Sequence, residues 1–341
     1  MTTPSRPARP AVLAQNQYGK AESRVVRITR DGATHHIKDL NVSVALSGDM
    51  EEAHYSGSNA NVLPTDTARN TVYAFAKEHG IESAEQFGIH LARHFVTSQE
   101  PIRAARVRIE EYAWERIGAS GTDTASVDTG DTGDTGSAGA GSADVRSAGA
   151  EPTRAERPEH SFVRKGRETR LAQITYDGSS WEVVSGLEDL VVLNSTDSEF
   201  RGYVKDEYTT LDEAYDRVLA TEVSARWRFG WTGGAQRMPD WDTSYEQVRG
   251  HLLQAFARTY SLSLQQTLYR MGARVIERRE EIDEVRLSLP NKHHFLVDLA
   301  PFGLENDNEV YFAADRPYGL IEATVLRDGR EARIPVDLTG P

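Results

Sequence analysis

HHIKDLNVSVALSG (35–48), DTARNTVYAFAKEHG (66–80) and SAEQFGIHLARHFV (83–96), taken in that order, decide the fold class. The first stretch alternates apolar and polar residues, as a half-buried strand does. In the second, Val72, Phe75 and Ala76 recur at helical spacing. The third opens with a capping box, Ser83 with Gln86, and sets Phe87, Leu91 and Phe95 on one stripe. Upstream, RVVRITR (24–30) alternates as a strand and leads into Asp31-Gly32, a hairpin turn signal. Downstream, IRAARVRIEEYAWERI (102–117) reads as a further strand. The order is β-β-α-α-β.

The second half repeats this plan. HSFVRKGRETRLAQITYD (160–177) and SSWEVVSGLEDLVVLNST (179–196) carry strand and turn signals. TTLDEAYDRVLATEV (209–223) is predicted as a helix, with a Thr210/Glu213 capping box and a Leu211, Ala214, Val218 stripe. WRFGW (227–231) is predicted as a strand. Ser244 and Gln247 are predicted to cap a helix over 245–260, with Val248, Leu252 and Phe256 inward, and 267–282 reads as another. EVRLSLPNKHHFLVDL (284–299) reads as strand, break, strand, and YFAAD (311–315) and GLIEATVLR (319–327) are strand-like. The class is α+β, an antiparallel sheet with helices on one face. Apolar residues on both parities of VVSGLEDLVVL and HHFLVDL favour an oligomer in which sheets join or stack. Between the halves, residues 118–150 are mostly Gly, Ala, Ser, Thr and Asp. That composition cannot bury enough apolar surface to offset its ordering entropy, so a disordered loop between two strands of a hairpin is expected there, with an interdomain linker as the alternative. The expected domains are 15–160, with the insert at about 118–155, and 161–335.

The chain has 341 residues, 38% apolar and 27% charged, and no cysteine. Disulfides, thiolate zinc sites, cysteine nucleophiles and cysteine-held iron–sulfur clusters are therefore excluded. The net charge of −13 argues against nucleic acid as partner, and requires locally placed cations for an anionic substrate. No apolar run approaches the roughly 18 residues of a membrane span. The opening MTTPSRPARPAVLAQ lacks a signal-peptide core, and the ending VDLTGP lacks a peroxisomal address; both lead to a cytoplasmic expectation.

No phosphate-binding glycine motif and no HExxH run is present. The pairs His35/His36 and His293/His294 are adjacent, and strand neighbours point to opposite faces, so neither pair chelates one metal easily. Their readings differ: the first suits a surface hairpin, while the second interrupts an apolar strand pair and is a functional candidate. Thr65 and Asp66 precede a helix, where they would serve as N-cap or face an anion. Lys20 stands at a strand entry and Arg217 late in the predicted helix.

Taken together, YGK (18–20), LPTDTARNTVYAFAK (63–77), HSFVRKG (160–166), LNSTDSEFRGYVKDEYTTLDEAYDRVLATEV (193–223), SLSLQQTLYRMG (261–272) and SLPNKHHFLVDL (288–299) resemble the urate oxidase (uricase) family. The resemblance runs from Gln15 to Asp337, outside the insert. It implies tandem tunnelling-fold domains, four subunits stacked into a barrel with a tunnel, and active sites at subunit interfaces. It implies oxidation of urate by dioxygen with no metal and no organic cofactor.

Residue by residue, the resemblance casts Arg217 and Gln265 as clamps on opposite edges of urate, Leu264 as a backbone donor and Phe200 as the stacking ring. Leucine stands at 264 where some relatives have valine. Lys20 and Thr65 match a proton-shuttling pair, with Asp66 beside them. Asn291 and His293 match residues over the urate plane, which hold oxygen or water and support the proton relay. His294 departs from an aromatic residue of some relatives, and is expected on the other strand face. Thr65 and Asp66 are implied to come from the subunit adjacent to Arg217 and Gln265. Pterin enzymes of the same fold are the rival reading, disfavoured by the absence of cysteine and of a spaced histidine triad.

Overall fold

The computed structural model describes residues 11–32, 34–117 and 160–336. The low-complexity insert expected at 118–150 lies outside them. The elements are β1 (Tyr18–Asp31), β2 (Thr34–Gly48), the short α1 (Glu51–Tyr55), α2 (Thr65–Glu78), α3 (Ala84–Ser98), β3 (Ile102–Arg116) and β4 (Phe162–Tyr176). There follow β5 (Trp181–Asn194), β6 (Leu219–Phe229), α4 (Trp241–Arg258), α5 (Leu264–Arg278), β7 (Ile282–Leu296) and β8 (Tyr311–Leu326). The strands form one eight-stranded sheet in sequence order, β1 to β8, with antiparallel ladders. The sequential order follows the general tendency of strands consecutive in sequence to be neighbours in the sheet, even where helices intervene between them.

The alternation read from the sequence is realised in β2, where Leu40, Val42, Val44 and Leu46 are buried. They join Val72, Phe87, Leu91 and Phe95 of α2 and α3 in the core. In the second half, Val248, Leu252 and Phe256 of α4 and Leu268, Met271 and Val275 of α5 meet Val223, Trp227, Val285 and Leu287 of the sheet. α5 comes so close that a Cβ on Gly272 would lie 2.6 Å from Val325 Cγ2, so glycine is required there. The Ser83 cap is present, its side chain accepting from Gln86 N.

By compactness the chain divides into two units. The larger contains Lys38–Ala113 and everything described from Lys165 onward, together with the start of β1. The smaller comprises Ile28–Ile37 and the described part of Trp114–Arg164. Within the smaller unit, Arg116 Nη2 donates to His35 O at 2.6 Å, and the rings of His35 and His160 are 5.6 Å apart.

Three expectations need correction. Residues 209–223 are not a helix: Phe200 and Ala214 form an isolated antiparallel bridge, and β6 begins at Leu219. Local helix propensity loses to burial, because Leu219, Val223, Ala225 and Trp227 are all fully enclosed in the core. The cap of α4 is Asp240, accepting from Thr243 N, and Ser244 instead donates to Glu281 at 2.9 Å. The break expected at PNKHH is absent: β7 is continuous, with only a register shift between Asn291 and His293.

The sheet face away from the helices is also partly closed. β6 and β7 are buried on both parities, but the second parity is charged: Arg226, Arg228, Glu284 and Arg286. Glu284 there binds Arg228 at 2.9 Å and accepts from the backbone of Arg333 and Ile334. On the helical side, Glu85 of α3 is fully buried and binds Arg170 of β4 at 2.7 Å, and Arg170 also binds Asp242 of α4 at 2.6 Å. Burial raises the Glu85 carboxyl, opposed by the Arg170 charge and the Ser185 hydrogen bond. Burial works to lower Arg170, but Glu85, Glu111 and Asp242 outweigh it and hold the guanidinium firmly charged.

Candidate active site

A cavity of about 300 Å3 opens beside the β7–β8 ladder, and six of the candidate residues line it: Phe200, Arg217, Leu264, Gln265, Asn291 and His293. Four different segments deliver them, so the fold rather than local sequence makes the site.

Phe200 forms one wall. Its backbone pairs with Ala214, at 2.8 and 3.0 Å, which fixes it to the segment leading to Arg217. The Tyr203 ring stacks on Phe200 at 4.9 Å and 13°. The Tyr203 hydroxyl donates to Leu211 O on the same wall. The loop carrying Phe200 is bound to the segment before α5: Glu199 N donates to Ser261 O at 2.7 Å, and Tyr260 Oη to Glu199 at 2.6 Å. The aromatic wall and the first turn of α5 are thereby held to one another.

The Arg217 guanidinium lies 5.5 Å from the Phe200 ring centroid. Burial pulls its pKa below the ordinary arginine value, and no carboxylate counteracts that. Its Nε is buried with no hydrogen-bond partner among the described residues. A half-buried cation with an unused planar donor edge is costly to maintain and suits an anionic, flat ligand. At the N-terminus of α5, Ser263 caps by accepting from Gln266 N. Leu264 and Gln265 occupy the first turn, where backbone N–H groups have no intrahelical acceptor. Leu264 is buried, so its side chain serves the core while its N–H remains a donor.

On β7, Asn291 lies opposite Thr221 on one side and Gly319 on the other, and His293 lies opposite Ala314. The His293 ring stacks against Phe295 at 5.7 Å. Burial lowers its pKa, with the charges of Arg217 and His294 acting in the same sense, so the imidazole is held neutral to lower pH than usual. His294 was expected on the opposite face. It lines the same cavity as His293 and Phe295, and the register shift after Asn291 is where simple alternation fails. Lys292 is engaged elsewhere, with Glu222 at 2.7 Å.

Lys20, Thr65 and Asp66 do not line this cavity. Lys20 is partly buried near the start of β1, and Thr65 is the first residue of α2. Neither Thr65 nor Asp66 is the N-cap: Pro64 takes that place, with no side-chain cap. The N–H groups of Thr67 and Ala68 donate to Pro64 O at 2.9 and 3.3 Å, those of Thr65 and Asp66 have no side-chain cap, and the Asp66 carboxylate binds Arg69 at 2.8 Å. Tyr203, Leu211 and Ile321 escaped sequence reasoning, because a wall residue three positions from Phe200 in a loop carries no periodic signal.

A larger cavity of about 690 Å3 is bordered by Lys38, Glu111, Glu168, Arg170, Asp242 and Arg249. Its charges are matched among themselves, Arg249 with Glu168 at 2.7 Å and Lys38 with Glu111 at 2.8 Å. The smaller cavity, with its unmatched guanidinium, is the better candidate. Among the described residues no three histidine, aspartate or glutamate side chains converge as metal ligands.

An antiparallel sheet with helices on one face, holding a ring, a guanidinium and amide groups around a small cavity, is an α+β architecture consistent with the tunnelling fold, with a site shaped for a flat polar ligand. The family model for uricase matches residues 16–175 and 183–322. The uricase of Arthrobacter globiformis is 46% identical over 325 residues, covering 95% of this chain and 93% of that protein. The uricase of Dictyostelium discoideum is 33% identical, covering 93% of this chain and 98% of that one. The crystal structure of the Arthrobacter globiformis uricase superposes with a TM-score of 0.80, covering 96% of this chain and 99% of that chain. The chain belongs to the uricase family.

Proposed function

We infer that the protein oxidises urate with dioxygen and water to 5-hydroxyisourate and hydrogen peroxide, a step of purine catabolism. The observation that carries this reading is the convergence of Phe200, Arg217, Gln265, Asn291 and His293 on one cavity in a chain of this family. Phe200 stacks on the purine face. The Arg217 fork and the Gln265 amide grip opposite edges, and the Leu264 N–H adds a backbone donor. Deprotonated urate is itself the electron donor, so the reading calls for no metal and no organic cofactor. The protein binds the anion, orients oxygen above its plane, and manages protons. Asn291, with Thr65, holds oxygen or water over the ring; Lys20, Thr65 and His293 carry the proton.

The two halves are, in this reading, tandem tunnelling-fold domains, and four subunits stack into a barrel with sites at their interfaces. Two observations support that assembly. Lys20, Thr65 and Asp66 lie outside the cavity that holds the other six residues. At that cavity, Phe295, which lines it, and Phe312, its partner across the β7–β8 ladder, are at least half exposed, an apolar pair that calls for a cover. Thr65 and Asp66 of an adjacent subunit, with Lys20 of that same subunit, would then complete each site, and an isolated subunit would be inactive.

The test is urate consumption in air-saturated buffer by chelator-treated protein, with peroxide assayed in parallel. Loss of urate matched by peroxide is expected. A verified tetramer that leaves urate intact would overturn the assignment.

A further inference from the structure

The N-terminal group of candidates contains a connection that the roles assigned above do not use. Leu63 N donates to the Tyr18 phenolic oxygen at 2.8 Å, across 45 positions of sequence. Tyr18 stands two residues before Lys20 on β1, and Leu63 two residues before Thr65. Strand alternation sends Tyr18 and Lys20 to the same face. Both rigid ends of the link are set by packing, since Tyr18 and Leu63 lie against the hydrophobic core.

The surroundings leave little freedom on either side. A Cβ on Gly19 would fall 1.8 Å from Val44 O, so β1 is pressed onto β2 between Tyr18 and Lys20, and only glycine fits. Just beyond Lys20, Glu22 adopts a φ of 56°, and its N–H donates to Ser43 Oγ at 3.0 Å rather than to a backbone carbonyl. The backbone at Lys20 therefore runs between a close approach of β1 to β2 at Gly19 and a left-handed residue at Glu22. On the other side, Pro64 follows Leu63 with φ −55° and opens α2 without a side-chain cap. The turn that presents Thr65 has no capping side chain of its own, so the tyrosine bond is an external brace. Burial raises the Tyr18 pKa, and the Leu63 N–H only partly offsets this, so the hydroxyl stays neutral and the brace does not titrate at working pH.

We propose that Tyr18 is a positioning residue for the reaction: its phenolic oxygen ties the strand carrying Lys20 to the turn carrying Thr65 and so sets the spacing across which those two groups pass a proton. The inference rests on the proton-relay role given to Lys20 and Thr65 above. Tyr18 touches neither urate nor oxygen in this account. Its effect is on alignment, and a displacement of even 1 Å in a relay is costly.

The test uses the full chain and four variants, Tyr18→Phe, Thr65→Ala, their combination, and Tyr55→Phe. Tyr55 is the control, because its hydroxyl accepts from Leu13 N at 2.6 Å in the same kind of brace, between two residues to which no role is assigned above. Tyr18→Phe keeps the ring in the core and removes only the acceptor. It is expected to lower kcat by about tenfold with the KM for urate unchanged, while Tyr55→Phe leaves both near normal. The combined variant is expected to be no slower than Thr65→Ala alone, since the brace acts through that group. A wild-type kcat in Tyr18→Phe, or losses that multiply in the combined variant, would overturn the inference while leaving the relay intact. A wild-type kcat in Thr65→Ala would overturn the relay reading and the inference with it. Should Tyr18→Phe lose its fold, Tyr18→Trp, which keeps an apolar ring but cannot accept, must show the same split between kcat and KM.

Discussion

The two groups of candidate residues are built in opposite ways. The C-terminal group is a preformed receptor: Phe200 is bridged to Ala214, backed by Tyr203, and bound through Glu199 and Ser261 to the first turn of α5. Its polar atoms converge on one cavity, and its guanidinium has an unused edge. The N-terminal group lines neither of the two cavities described above. Lys20 follows a close approach of β1 to β2 at Gly19, and Thr65 opens a helix that lacks a side-chain cap. Recognition is complete in one part of the chain, while the groups proposed for proton transfer are presented for use elsewhere. On the proposed reading, the difference makes binding and turnover separable, and turnover calls for a second copy.

The largest effect belongs to the receptor. Arg217→Ala should cost at least about a hundredfold in kcat/KM, from two charge-assisted hydrogen bonds worth roughly 1.5–3 kcal/mol each. Arg217→Lys should recover little of it, because a point charge cannot replace the planar fork. Steady-state urate oxidation together with equilibrium binding of a non-oxidised purine analogue separates the terms. An Arg217→Ala enzyme with normal analogue affinity would break the receptor half of the comparison.

A smaller effect comes from a histidine group in the first half. The Phe75 ring lies 4.7 Å from His79 and 4.8 Å from His94, and His79 lies 5.5 Å from His90. Burial lowers the pKa of both His90 and His94 below 6.5, and His79 acts in the same sense; Arg93 lowers and Glu82 raises that of His90. With folded values below unfolded ones, the unfolded chain binds more protons in this window. Stability is therefore full above pH 6.5 and falls as pH drops through the folded values. His90→Gln should shrink that acid loss of thermal midpoint while leaving the midpoint's pH dependence above neutrality flat. An unchanged acid slope would contradict the assignment.

The smallest effect concerns Leu264. Leu264→Val preserves the backbone donor and removes one buried methylene, so KM should stay within about twofold and stability fall by roughly 0.5–1.5 kcal/mol. A large rise in KM would mean that the side chain, rather than the N–H, meets the ligand.

Periodicity exposed most of this architecture and concealed the part that matters most. Leu40, Val42, Val44 and Leu46 declare a strand, and Ser83 with Gln86 a helix start, because each pattern reports a local burial that the structure keeps. The segment around Arg217 misleads, because Leu, Glu, Ala and Arg favour a helix locally. The long-range demands of Val223, Ala225 and Trp227 for the sheet core override them. Likewise PNKHH reads as a break between two strands, yet Pro290 lies within the ladder opposite Leu320. The site residues became legible through family motifs rather than physics. Nothing in the sequence alone reveals that Phe200 will be clamped to α5, or that Tyr18 will reach Leu63.

The most direct test of this account mixes two inactive proteins. Thr65→Ala and Arg217→Ala subunits are unfolded together, refolded together, and assayed for urate oxidation against each protein refolded alone. With sites shared between neighbouring subunits, random mixing gives about a quarter of all sites an intact Thr65 and an intact Arg217, and activity should return to that level. Activity no higher than that of the separate variants, in tetramers verified to be mixed, would contradict a site built from two chains.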